Sequence, residues 1–76
     1  MTLQQIKQAV DAGHSVHWSN EGYRVKTWGG EYYICHTGGY VEGLTDSKGN
    51  LKDQEDMFFI LRDGRNVTEE VLNGQS

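Results

Sequence analysis

The chain has 76 residues, which suffices for one small domain and leaves no room for a second. Seven Lys and Arg residues stand against eleven Asp and Glu residues, so the net charge is -4. This charge opposes the attraction to phosphate backbones that most nucleic-acid-binding proteins show. Hydrophobic residues make up 36% of the chain and eight residues are aromatic, which predicts a folded domain, whereas a mean hydropathy of -0.70 predicts a thin core.

Three features of the sequence predict the cellular compartment of the protein. No apolar run approaches the ~20 residues that a membrane-spanning helix needs. The N-terminus lacks the basic and apolar segments of a signal peptide. Cys35 is the only cysteine, so an internal disulfide is impossible. These features predict a cytoplasmic protein with no membrane association.

A short amphipathic helix is predicted at the N-terminus. Thr2 followed three positions later by Gln5 is a capping-box pattern, and Gly13 offers a stop. The apolar residues between them recur at helical spacing, and they are Leu3, Ile6, Ala9 and Val10. We therefore predict a helix from about Thr2 to Ala12 that lays a narrow apolar stripe on a sheet.

Alternation with period two replaces helical spacing after Gly13 and predicts an antiparallel meander. The four predicted strands contain Val16 and Trp18, then Tyr23, Val25 and Thr27, then Glu31 to His36, then Tyr40 to Thr45. Later in the chain, the segment from Met57 to Leu61 predicts a fifth strand, and Val67 to Leu72 predicts a short helix with Asn66 or Thr68 near its cap.

These elements predict an α+β fold, in which the N-terminal helix packs on a small curved antiparallel sheet of four or five strands. Residues 1–76 form a single small domain with a C-terminal tail that frays from about residue 73. The side chains predicted to face the helix are Trp18, Tyr23, Ile34 and either Phe58 or Phe59. The remaining aromatics, Trp28, Tyr32, Tyr33 and Tyr40, cannot all point inward, because neighbouring strand residues face opposite sides.

Four segments, "VHWSNEGYRV", "GGEYYI", "GLT" and "EDMFFI", follow one another in an order and spacing that resembles a group of short proteins encoded by phages and prophages of enteric bacteria. The resemblance covers roughly Thr2 to Ile60, whereas the tail from Arg62 departs from the pattern and Met57 is an insertion. It implies an accessory phage or prophage protein. It implies no activity and no catalytic residue, because aromatic and glycine positions mark a fold more than a chemistry.

Three site hypotheses are weak. His14, His17, Cys35 and His36 are zinc-ligand types, but strand neighbours and residues three apart face opposite sides, and C-x-x-C spacing is absent. The acidic segment from Asp46 to Asp56 does not match a calcium loop, and lysines interrupt it. A small metal-independent nuclease would use His17 or His36 as acid, Glu31 or Glu21 as base, and Arg24 or Lys26 at the phosphate. No spacing makes these residues converge, so we predict no enzyme, metal or cofactor.

Two binding hypotheses remain. In the first, exposed aromatics anchor a protein partner and acidic residues attract its basic surface. The predicted contact residues are Trp28, Tyr32, Tyr40, Asp53, Glu55 and Asp56. In the second, single-stranded nucleic acid stacks on Trp28, Tyr32 or Tyr33 beside Arg24 and Lys26. Two cations neutralise few phosphates, so binding to nucleic acid is not expected.

The function predicted from the sequence is therefore that of a non-enzymatic accessory phage or prophage protein in the bacterial host cytoplasm. It binds a host protein, and inhibition of that protein is one consequence of such binding. The partner is expected to have a basic surface, and the protein is expected to be a monomer or a homodimer.

Overall fold

A computed structural model describes residues 1–74, which form two helices and one sheet. In chain order the elements are α1 (Leu3–Asp11), β1 (Ser15–Trp18), β2 (Asn20–Trp28), β3 (Glu31–His36), β4 (Val41–Gly43), β5 (Phe58–Arg62), β6 (Arg65–Asn66) and α2 (Thr68–Gly74), with a 3-10 turn at Glu55–Met57 before β5. The α+β fold class is confirmed. No helix among the described residues is both long and apolar enough to cross a membrane.

Helix α1 begins where the capping pattern predicts. The Thr2 hydroxyl accepts a hydrogen bond from the Gln5 amide at 3.1 Å, and the Gln5 side chain accepts one from the Thr2 amide at 2.9 Å. Two otherwise unpaired amides are thus satisfied at the helix start. The chain leaves the helix after Ala12 through Gly13, whose φ of +92° few other residues adopt. Ile6 and Ala9 of this helix are fully buried.

The sheet has six antiparallel strands in the order β4-β3-β2-β1-β5-β6. The predicted meander of β1 to β4 is present, and β5 pairs with the free edge of β1. The sheet has one strand more than the four or five predicted, because β6 has only two residues and cannot show an alternating pattern. The hairpin that forms β6 turns at Asp63 and Gly64, whose φ values of 53° and 78° suit a tight turn between antiparallel strands.

Both helices lie on the same face of the sheet. Strand register places Val25 opposite Ile34 and Val16 opposite Ile60. These four residues share a core with Ile6 and Ala9 of α1 and with Val67 and Val71 at α2. We call this side the helix-covered face and the opposite side the helix-free face. The side chains of the β-strands alternate between the two.

The predicted core is mostly correct. Ile34 is fully buried, and of the two phenylalanines it is Phe58 that is buried in the core. Trp18 and Tyr23 pack against the core with their rings edge to face at 4.8 Å, but both remain partly exposed. The Trp18 indole nitrogen is buried without a hydrogen-bond partner.

Helix α2 continues through Asn73 and Gly74. The Asn66 side chain accepts from the Thr68 amide at 3.0 Å, and the Thr68 hydroxyl accepts from the Ile60 amide at 2.8 Å. Asn66 and Thr68 therefore secure the helix start to β5, where the sequence predicts a cap. The rest of the tail that was predicted to fray, Gln75 and Ser76, lies outside the described residues.

Truncating Ile34 to alanine should lower the free energy of unfolding by about 2–5 kcal/mol, because it removes fully buried methyl and methylene groups and leaves a cavity. Val41→Ala on the adjacent strand is the control, since Val41 is 52% exposed and should change stability far less. Denaturant unfolding of both variants measures the difference. Equal losses would mean that the core is placed on the wrong face.

Candidate functional site

The predicted contact aromatics lie on different surfaces. Trp28 points to the helix-free face, whereas Tyr32 shares the helix-covered face with Ile34. Tyr40 follows the β3–β4 turn and approaches Tyr23 edge to face at 6.3 Å. These aromatics do not form the single patch that the protein-binding hypothesis assumes.

Tyr32 connects the helix to the sheet. Its hydroxyl donates to the Asp11 carboxylate at 2.7 Å, and the Lys7 ammonium lies 5.4 Å from the ring centroid. The hydrogen bond to Asp11 raises the pKa of Tyr32, with burial and the negative charge of Asp11 acting in the same direction. Tyr32 is thus engaged with its own helix.

The aromatic that joins Trp28 is Tyr33. The two rings stack at 4.0 Å between centroids with an interplanar angle of 12°. Trp28 is 50% exposed, and it lies next to the Gly29-Gly30 turn at the end of the β2–β3 hairpin. The pair is therefore an accessible flat ring surface on the helix-free face.

Arg24 and Lys26 precede Trp28 on the same face of β2, and both are exposed. They border a cleft of about 260 Å³. The cleft is lined by His17, Glu21, Gly22, Arg24, Lys26, Cys35, His36 and Thr37. We refer to Arg24, Lys26, Trp28 and Tyr33 together as the aromatic-basic strip.

His17 lines this cleft and is held by three polar contacts and one ring contact. Its Nδ1 lies 3.1 Å from the Glu21 carbonyl and 2.9 Å from the Tyr23 carbonyl, so Nδ1 carries a hydrogen. Its Nε2 lies 2.7 Å from the Ser15 hydroxyl, and the ring stacks on Phe59 at 5.7 Å. The β1–β2 register shifts at His17 and Trp18. The imidazole therefore contacts two carbonyl groups of β2 at the point where the β1–β2 pairing is irregular.

The cleft brings together most of the residues considered for nuclease chemistry, and they are His17, His36, Glu21, Arg24 and Lys26. Both nitrogens of His17 are already engaged within the fold. His36 accepts from the Gly38 amide through Nδ1 at 3.0 Å, and only Nε2 is without such a contact. Glu31 and His14 do not line this cleft. Within residues 1–74, no group of three or more His, Cys, Asp or Glu side chains is arranged to hold a metal ion.

Negative charge is concentrated at another part of the molecule, formed by Tyr40, Glu42 and Asp53, which we call the acidic end. Hydrogen bonding to the Glu42 carboxylate raises the pKa of Tyr40, and the negative charge of Asp53 adds to the effect. Burial raises the pKa of Asp53, Glu42 raises it further, and Lys52 only partly opposes them. One Asp53 carboxylate oxygen is buried without a hydrogen-bond partner.

The other predicted acidic contacts are Glu55 and Asp56, which are exposed in the 3-10 turn before β5. The Glu55 carbonyl accepts a hydrogen bond from the Met1 amino group at 2.7 Å. In the same connection, the Asp46 carboxylate accepts from the amides of Lys48 and Asn50 at 2.9 and 3.0 Å. Asp46 thus stabilises its own turn.

The contact residues predicted for a protein partner include neither Glu42 nor Tyr33. The sequence carries a signal for Tyr33, because Ile34 is predicted to face the helix and its strand neighbour must then face away. Glu42 becomes informative only through its approach to Asp53, eleven residues further along the chain.

Comparison with family models, curated proteins and solved structures finds no match to this chain. The aromatic-basic strip and the acidic end are therefore the two surfaces that bear on its function.

Asp53→Asn should raise the thermal midpoint near neutral pH, because it removes a carboxylate that burial and Glu42 disfavour. The raised pKa means that the folded protein binds this proton more readily than the unfolded chain. The stabilising contribution of neutral Asp53 is present below the ordinary value of 3.8 and is lost as the pH rises through the folded pKa. The gain from asparagine should therefore appear at about pH 7 and disappear towards about pH 3.

Paired thermal melts across this pH range measure the effect. Glu69→Gln is the control, since Glu69 is exposed on α2 and its substitution should give no such pH-dependent gain. An unchanged midpoint for Asp53→Asn at neutral pH would mean that the charged Asp53 carboxylate does not destabilise the folded protein.

Proposed function

We propose that this protein is a non-enzymatic interaction protein, which binds the basic surface of a protein partner through its acidic end. The resemblance to phage and prophage proteins suggests a host protein as that partner, in the host cytoplasm. The observation that carries the proposal is the partly buried Asp53 carboxylate, one oxygen of which has no hydrogen-bond partner among residues 1–74, beside Glu42 and the exposed ring of Tyr40.

The distribution of charge supports this proposal. Residues 40–57 hold five acidic and two basic side chains, a net charge of -3, whereas the whole chain has -4. Residues 1–39 hold three of each and are neutral overall. The charge that could attract a basic partner therefore belongs largely to one segment rather than to the whole surface.

The raised pKa values at the acidic end support the same conclusion. The raised pKa of Asp53 comes first from burial and then from the nearby negative charge of Glu42, which the positive charge of Lys52 offsets only in part. A lysine or arginine of a partner would supply further positive charge at Asp53 and Glu42, and the exposed ring of Tyr40 offers apolar and cation–π contact beside them. Such charge complementarity favours rapid and selective association.

The proposed contact surface differs from the one predicted by sequence. It consists of the acidic end (Tyr40, Glu42 and Asp53) together with the exposed Glu55 and Asp56 of the 3-10 turn, so Glu42 is the one residue added to those predicted from the sequence. Tyr32 is engaged with α1, and Trp28 lies on the helix-free face, so neither is part of the proposed surface.

Neutralising Asp53, Glu55 and Asp56 together, by substitution with Asn, Gln and Asn, should slow association with a lysine- and arginine-rich peptide. The expected loss in association rate is roughly tenfold or more at low salt, with a flatter dependence on ionic strength. Stopped-flow measurements with a labelled basic peptide, and with an acidic peptide of equal length, give the rates.

The matched control is the triple variant Glu21→Gln, Glu31→Gln and Glu69→Gln, which changes the net charge equally at residues outside 40–57. It should retain most of the association rate. An equal loss of association rate in the two triple variants would mean that overall net charge, and not the position of the carboxylates, sets the rate. Equal binding of the acidic and basic peptides would contradict the proposal that the partner has a basic surface.

The absence of enzymatic activity remains a prediction. Purified protein should leave single-stranded and double-stranded RNA and DNA intact, because the His17 nitrogens are committed to Ser15 and to backbone carbonyls. Gel analysis after prolonged incubation with and without a chelator measures this. Cleavage that His36→Gln abolishes would establish the nuclease hypothesis instead, and His36 is the better probe because His17→Gln would also disturb the fold.

A further inference from the structure

We propose that the aromatic-basic strip on the helix-free face binds single-stranded nucleic acid, with a base stacked on Trp28 and neighbouring phosphates at Lys26 and Arg24. This surface shares no residue with the acidic end. It can therefore bind its ligand whether or not the acidic end binds a protein.

The first argument is the geometry of the aromatic pair. Tyr33 supports one side of the Trp28 ring at 4.0 Å, nearly parallel to it, while half of Trp28 remains exposed. A flat indole that is already supported on one side offers its other side to a planar ligand with little further loss of side-chain freedom. A nucleobase of any sequence has the matching flat face.

The second argument is the position of the cations relative to the rings. Arg24, Lys26 and Trp28 alternate along one strand, so successive side chains on this face are about 6.6 Å apart. A strand of nucleic acid that stacks a base on Trp28 would therefore run its backbone along β2 past Lys26 to Arg24. Neither helix covers this route, because α1 and α2 both lie on the other face.

The third argument is local charge. The net charge of -4 does not describe this surface, because residues 1–39, which contain the whole strip, are neutral overall. Glu31 is the acidic residue beside Trp28 in the strand register, and Glu21 lies at the far side of the cleft. Two cations between two carboxylates give a weak electrostatic contribution, so stacking must supply much of the affinity.

A single strand fits these features better than a duplex. The strip has two cations and one exposed ring, whereas a duplex keeps its base faces stacked inside and would present only its phosphates. The ligand that uses all four residues is one with unpaired bases and a flexible backbone.

The experiment is a fluorescence titration with oligo(dT) and oligo(U) of about 12 nucleotides, because a base on Trp28 should quench its emission. In both titrations Trp28→Ala should weaken binding roughly 5- to 150-fold, as expected for one stacked base, and Trp28→Phe should restore part of the affinity. Binding by the Trp28 variants is followed by anisotropy of a labelled oligonucleotide. The logarithm of Kd should rise with the logarithm of salt concentration with a slope of about 1.4 for two phosphates, falling to about 0.7 in Lys26→Gln or Arg24→Gln.

Two controls use the opposite side of the molecule. Lys7→Gln removes the same charge as Lys26→Gln, but Lys7 lies on α1, over the Tyr32 ring. Tyr40→Ala removes an exposed aromatic at the acidic end. Both should leave binding unchanged. Circular dichroism verifies that each variant is folded.

Several results would overturn the inference. They are no binding at millimolar protein, equal losses for Lys7→Gln and Lys26→Gln, equal affinity for duplex and single strand, and preference for an acidic peptide over the oligonucleotides. Sedimentation of the free protein supplies the last test. A dimer that Trp28→Ala converts to a monomer would show that this face is covered by a second copy.

Discussion

The structure depends on apolar contact between one narrow helix stripe and one face of the sheet. Ile6 and Ala9 of α1 meet Val16, Val25 and Ile34, and all five are almost fully buried. A chain of 76 residues has little else with which to build a core, because two short helices can cover only one side of six strands. The same contact that stabilises the domain therefore leaves the opposite face of the sheet without a helix.

This asymmetry separates two kinds of surface. On the helix-free face, the strand register exposes an aromatic pair with two cations. At the acidic end, the connection between β4 and β5 brings Asp53 towards Glu42 and partly buries its carboxylate. A small acidic protein is thereby divided into regions of different charge, and its net charge of -4 reflects the acidic end but not the aromatic-basic strip. The proposed protein partner and the proposed nucleic acid would contact different residues.

Local signals in the sequence predict much of this fold. The Thr2 and Gln5 capping box locates α1, and paired glycines and Asp63-Gly64 locate turns, because each of these features acts over a few residues. The sequence also predicts which sides of the sheet Tyr32 and Tyr33 face, because both follow from the inward position of Ile34. Other features are non-local. The approach of Asp53 to Glu42 and the contacts of His17 depend on how distant segments meet and on a register shift, and β6 is too short to carry a pattern.

The pairing of β1 with β5 has a consequence for how the chain acquires its structure. Ser15 pairs with Leu61, so a central strand near the N-terminus waits for a partner that is made more than forty residues later. The local hairpins β1–β2 and β2–β3 can form early, but one edge of β1 has no partner until Phe58–Arg62 has left the ribosome. During that interval the backbone of β1 offers free amides and carbonyls beside Val16, an arrangement that invites pairing with other chains. Strand β5 therefore covers the exposed edge of β1, which is the first strand to be synthesised.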